Sequence, residues 1–132
     1  VLHRLETRLL LFYLGTSRSA STILAEQGQN LHTSAQRLDT MHRMVGLART
    51  LKSELQNNRL DAFGEILHAG WMYKREQAAQ ISNAGIDAWY DTARRAGAEG
   101  GKLLGAGGGG FLLFYVPEDR QPALRQALAG LY

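Results

Sequence analysis

The chain has 132 residues, 45% hydrophobic and 20% charged, a size and balance that fit one globular domain with a real core and exclude a disordered tail. Fifteen basic against twelve acidic residues leave a formal charge of +3, which permits an anionic ligand without naming one. No cysteine is present, which excludes disulfides and thiolate metal sites and leaves the cytoplasm as the default location; no apolar run is long enough to cross a bilayer, and His3, Arg4, Glu6 and Arg8 do not suit a signal peptide.

The first element is "RLLLFYLG" from Arg8 to Gly15, a short apolar and aromatic run ending at glycine, which reads as a buried strand. A shorter helix is expected over Ser17 to Ala25. Three amphipathic helices follow. Leu38, Met41, Val45, Ala48, Leu51 and Leu55 recur at three and four residues, as do Leu60, Phe63, Leu67 and Trp71, and then Ile86, Trp89 or Tyr90, and Ala93. Asn58 with Asp61 is a plausible cap for the second of these helices, and Ser82 or Asn83 for the third. "GKLL" and "FLLFYV" then flank a glycine run as the two strands of a hairpin, and Glu118 to Leu131 reads as a last helix behind Pro117. "GFLLFYVP" repeats the Leu-Leu-Phe-Tyr of the first strand. The order strand, helices, strand, loop, strand, helix predicts an α+β domain, with one antiparallel sheet and helices packed on one face.

Seven of the 15 glycines lie between Gly100 and Gly110. Gly105, Gly107 and Gly110 satisfy G-x-G-x-x-G, but the dinucleotide fingerprint must open a helix and here a strand follows. The P-loop is excluded because no Gly-Lys-Ser or Gly-Lys-Thr ends the run. The protein-kinase loop is excluded because its Val-Ala-Ile-Lys, His-Arg-Asp and Asp-Phe-Gly companions are missing. Consecutive glycines let backbone N–H groups converge on an anion or let another backbone approach closely. Read alone, the run leaves a tight hairpin and an anion contact equally open.

"GGKLLGAGGGGFLLFY" resembles the third, C-terminal motif of the GHMP small-molecule kinases, the family of galactokinase, homoserine kinase, mevalonate kinase and phosphomevalonate kinase. "LGTSRSAS" after the first strand is similar to the family's loop in the same place. Within the superfamily, "LLLFYLGTSRSASTIL", "LDAFGEILHAGWMYKR" and "ISNAGIDAWYDTARRAGAEGGKLLGAGGGGFLLFY" look most like the kinases of D-glycero-D-manno-heptose 7-phosphate. The resemblance implies a ferredoxin-like sandwich over residues 1–132 as the C-terminal domain of an ATP-dependent sugar kinase, acting on a heptose phosphate in a small-molecule, cytoplasmic setting. It also implies that the N-terminal nucleotide-binding domain, which holds most of the ATP and magnesium contacts, lies outside this chain. The start at Val1 rather than methionine agrees with a piece of a longer chain, and the fragment alone is expected to be inactive. The end near Tyr132 falls before the family's usual last strand, so an open sheet edge is expected.

Site roles follow from the resemblance residue by residue. Gly105, Gly107, Gly108 and Gly109 match the motif that lies against the nucleotide phosphate loop. Ser17, Arg18 and Ser19 match a loop bordering the acceptor pocket, where an arginine and two hydroxyls suit a sugar phosphate; apart from the resemblance, Arg18 reads as a surface charge. Trp71 and Lys74 share a helix face, tryptophan suited to a sugar face and lysine to a phosphate, although Trp71 also continues a core stripe. His68 reads as structural or solvated, Lys102 either reaches the cleft or flanks an edge strand, and Trp89 and Tyr90 read as core. No metal-ligand spacing joins His3, His32, His42 and His68. Expected partners are ATP, a sugar phosphate and the N-terminal domain, with neither nucleic acid nor membrane. The competing reading is a free-standing ferredoxin-like module that binds RNA or a small anion. It is disfavoured because both Leu-Leu-Phe-Tyr runs are apolar throughout, whereas RNA-binding sheets interleave exposed aromatics with basic residues.

Overall fold

The structure, a computed structural model, describes residues 1–15, 24–25, 27–29, 34–79, 81–105 and 107–131. Three strands form an antiparallel sheet in the order β1-β3-β2 among the described residues: β1 (Leu9–Tyr13), β2 (Gly100–Leu103) and β3 (Phe111–Tyr115). The hairpin and the long-range pairing of the two Leu-Leu-Phe-Tyr runs are both as expected. β3 is central, and the outer edge of β1 has no strand beside it among the described residues.

The strand period of two decides which side chains meet the core. Leu10 faces Phe114 and Phe12 faces Leu112 across the β1–β3 ladder, and Leu103 faces Leu112 across β2–β3. These buried residues form one core cluster with Ile86, Tyr90 and Ala93 of α4 (Ala84–Arg95) and Leu124 of α5 (Gln121–Ala127). Phe12 and Phe114 meet edge to face at 6.1 Å. The other face is covered at one end only, where Phe63 of α3 (Phe63–Arg75) packs on Tyr115 with ring centroids 4.9 Å apart. Leu11, on that face, stays half exposed.

Helix α3 lies against β2 at backbone distance. A Cβ on Gly100 would fall 1.9 Å from the Gly64 carbonyl oxygen, and a Cβ on Gly64 would fall 2.4 Å from Glu99 Cβ. Small residues on both elements therefore permit the approach that brings Trp71 and Lys74 beside the glycine hairpin.

Helix α2 (Ala35–Gln56) begins at Ser34, whose side chain accepts from Arg37 N at 3.2 Å. Its 22 residues span about 33 Å at 1.5 Å per residue, well beyond the 13 residues of α3 on which it packs. The packed face is rotated from the expected stripe: Thr40 is buried and Met41, Met44, Leu47 and Leu51 are partly buried, while Ala48 is exposed. Leu51 and Leu55 pack with Phe63, while Leu38 and Val45 are 43% and 42% exposed. A five-residue helix α1 (Leu2–Glu6) precedes β1 and was not evident in the sequence.

The structure corrects one cap and sustains another. Asn58 does not cap α3, which starts at Phe63 with no side-chain cap; Asn58 instead takes φ +59° just past the end of α2, where Arg4 donates to its carbonyl at 2.8 Å. Asparagine tolerates the left-handed conformation that closes a helix, so it punctuates an end here and not a beginning. Asn83 does cap α4, accepting from Ile86 N at 3.0 Å. The tail after Pro117 splits into a 3-10 turn (Glu118–Arg120) and α5. The short helix expected over Ser17 to Ala25 falls mostly outside the described residues.

Candidate functional site

The hairpin between β2 and β3 is closed by Leu104 N, which donates to Phe111 O at 2.9 Å. Its glycines divide into two kinds. Gly107 has φ +122°, and a Cβ there would lie 2.6 Å from Ile81 Cα and 2.7 Å from Ile81 O; Gly108 N donates to the same carbonyl at 2.8 Å. Gly107 is thus required by close approach to the α3–α4 connection. Gly105 has φ +87°, is exposed, and a Cβ there would meet nothing within 4 Å. That open space is where a ligand could approach the backbone. Gly108 and Gly109 are buried. The tight turn is thus realised at Gly107 and Gly108, and Gly105 stays open.

A cavity of about 310 Å³ opens beside Gly105, between α2, α3 and β2. Trp71, Lys74, Lys102 and Gly105 all line it, against an aliphatic wall that includes Met44 and Leu67. Three of the residues expected at the site are thus brought together, and Lys102 joins them on the cleft side. Among the described residues no carboxylate lines the cavity. Lys74 Nζ donates to Gln27 Oε1 at 3.1 Å. Burial lowers the Lys74 pKa, and the charge of Lys102 lowers it further. Two cations at one cavity, one of them partly buried, favour an anion there.

Trp71 is 2% exposed and contacts the Tyr90 ring at 6.2 Å, so it belongs to the core while also forming the cavity floor. Its Nε1 has no hydrogen-bond partner among the described residues. His68 is structural: Nδ1 lies 2.7 Å from Tyr90 Oη, the rings stack at 5.7 Å, and Oη donates to Gly101 O at 3.4 Å. Burial, then Arg94, lowers the His68 pKa, and burial pushes Tyr90 up to about 12. Tyr90 is core as expected, and Trp89 packs on the core while partly exposed.

Ser17, Arg18 and Ser19 lie outside the described residues. The strand leading to them ends beside the hairpin, with Leu14 N donating to Gly110 O at 2.8 Å. Sequence reasoning missed Ile81, the anchor of Gly107 and Gly108. A lone isoleucine in a connection gives no pattern by which to find a backbone contact. The Lys74–Lys102 pairing was missed too, because it depends on α3 lying along β2.

Comparison with known proteins gives a consistent answer. Residues 51–132 match the family model described as GHMP kinases C terminal. The chain is 30% identical over 135 residues to the bifunctional fucokinase/GDP-fucose pyrophosphorylase of Arabidopsis thaliana, covering 97% of this chain and 12% of that protein. It is 30% identical over 124 residues to the D-glycero-alpha-D-manno-heptose 7-phosphate kinase of Campylobacter jejuni, covering 94% of this chain and 36% of that protein. Among solved structures, L. major mevalonate kinase superposes with a TM-score of 0.83 at 20% identity, covering 92% of this chain and 37% of that one, a likeness of fold. The chain spans little more than a third of these relatives' length at most. With the family model covering most of the chain and the fold agreeing, the protein belongs to the GHMP kinase C-terminal domain family.

Proposed function

We propose that this chain is the substrate-closing C-terminal half of an ATP-dependent sugar kinase whose acceptor is a heptose phosphate. The observation that carries the reading is the cavity in which Lys74, Lys102 and Gly105 meet. The curated relatives differ on the point that matters: one name specifies a phosphorylated heptose and two specify fucose. A plain sugar offers nothing for two lysines to neutralise. A sugar phosphate does.

In this reading the hairpin forms a wall free of side chains beside the nucleotide phosphates, with Gly105 in contact and Gly107, Gly108 and Gly109 holding the turn. The open space at Gly105 and its positive φ fit the approach of phosphate oxygens. Magnesium and the nucleotide loop are, in the same reading, held by an N-terminal domain outside this chain. ATP, when bound, supplies the transferred phosphoryl group. Lys74 and Lys102 bind the acceptor's own phosphate, Trp71 walls the cavity, and Ser17, Arg18 and Ser19 border the acceptor. Recognition of that remote phosphate orients the hydroxyl that reacts.

The test is acceptor selectivity in the full-length enzyme. Losing a charge-assisted hydrogen bond costs about 1.5 to 3 kcal/mol, or roughly tenfold to a hundredfold in kcat/KM. Lys74→Ala should lower kcat/KM for heptose 7-phosphate by that factor and leave kcat/KM for the unphosphorylated heptose and the KM for ATP nearly unchanged. Equal losses on both sugars would remove the sugar-phosphate assignment.

A further inference from the structure

Gly107 and Gly108 of the glycine hairpin dock on Ile81, which is fully buried and lies in the connection between α3 and α4 and not in a helix or strand. Its placement therefore depends on what holds that connection. At the start of the connection, Gln77 Nε2 donates to Arg37 O at 3.4 Å. At its end, Ser82 Oγ donates to Asp87 Oδ1 at 2.6 Å, and Arg75 Nη1 lies 3.5 Å from the same oxygen. Arg75 is the last residue of α3, Ser82 adjoins Ile81, and Asp87 stands in the first turn of α4. One carboxylate thus ties both ends of the connection, and a short hydrogen bond to an ionised acceptor is the stronger kind.

We propose that Asp87 is a positioning residue for the glycine hairpin: its carboxylate holds Ser82 and Arg75, fixes Ile81 between them, and so sets where Gly107 and Gly108 lie. The inference rests on the reading that the hairpin contacts nucleotide. Asp87 lines none of the cavity that holds Lys74 and Lys102, so its carboxylate does not itself meet the acceptor's phosphate. Displacing a contact by about 1 Å can cost up to a hundredfold in rate, and a loosened anchor moves the hairpin by less.

The test uses the full-length enzyme with ATP and heptose 7-phosphate. Asp87→Asn keeps the shape while weakening both contacts and should raise the KM for ATP about tenfold, a fraction of that limit, with the acceptor KM within about twofold. Ser82→Ala should do the same. The double variant should be no worse than Asp87→Asn alone, because both changes break one linkage. A merely structural role would instead lower the thermal midpoint and affect both substrates alike, and that result overturns the proposal. Gly105→Ala separates the proposal from the reading beneath it. An altered ATP KM in Gly105→Ala with none in Asp87→Asn overturns the positioning role alone. No change in Gly105→Ala overturns the hairpin's nucleotide contact and the positioning role with it.

Discussion

Replacing Gly107 and Gly105 by alanine, one at a time, distinguishes a glycine needed for packing from one left open. At Gly107 the new Cβ would stand 2.6 Å from Ile81 Cα and 2.7 Å from Ile81 O, both backbone atoms that cannot rotate away, at φ +122°. Overpacking costs about 1 to 3 kcal/mol and a backbone held in a sparsely populated region about 1 to 3 more, so Gly107→Ala should lose about 2 to 6 kcal/mol. That is a large share of the roughly 5 to 15 kcal/mol that holds a typical domain folded. At Gly105 the Cβ meets nothing within 4 Å, and only the positive φ of +87° resists it. Left-handed backbone costs an L-residue about 1 to 2 kcal/mol, which sets the loss for Gly105→Ala. Urea unfolding of both variants in the full-length protein measures the difference. Equal stability losses, or a greater loss at Gly105, would refute the division of the run into an anchored part and an open part. The same contrast shows why a bulky residue at Gly107 is a poor probe of turnover: any loss there comes with loss of fold.

Three further outcomes follow from local geometry. Asn83→Ala removes the side chain that accepts from Ile86 N at 3.0 Å and should destabilise by about 1 kcal/mol, read as a lower urea midpoint with unchanged slope. Burial lowers the His68 pKa below 6.5, so above that value the ring is neutral folded or unfolded, and below it the unfolded chain takes up the proton first. Stability should therefore fall as pH drops below about 6.5, and His68→Gln should flatten that part of the profile of thermal midpoint against pH. Gly100→Ala would place a Cβ 1.9 Å from the Gly64 carbonyl oxygen and should cost at least about 3 kcal/mol, seen as loss of soluble protein or a sharply lowered thermal midpoint.

The sheet was legible because its signals are local: two apolar aromatic runs bounded by Gly or Pro, and a glycine loop that can only turn. The α4 cap at Asn83 was legible for the same reason. Asn58 was misread because asparagine serves both ends of a helix, and only the left-handed φ of +59° in the folded chain decides which. The packed face of α2 was misjudged because it runs through Thr40, a polar residue outside the apolar period, and leaves Leu38, Val45 and Ala48 exposed. At the site, Trp71, Lys74 and Gly105 were legible by resemblance and converge in the structure. Lys102 and Ile81 needed three dimensions, since one depends on α3 lying along β2 and the other acts through its backbone.

The central claim, that this chain completes an ATP-dependent kinase acting on a phosphorylated sugar, is tested most directly by phosphorus NMR of the reaction products. The full-length protein, ATP, magnesium and heptose 7-phosphate should yield ADP and a second sugar phosphate resonance in equal amounts, with L-fucose a poor acceptor and this chain alone giving no product. Transfer to L-fucose at the same or higher efficiency, or product formed by the isolated chain, would contradict it.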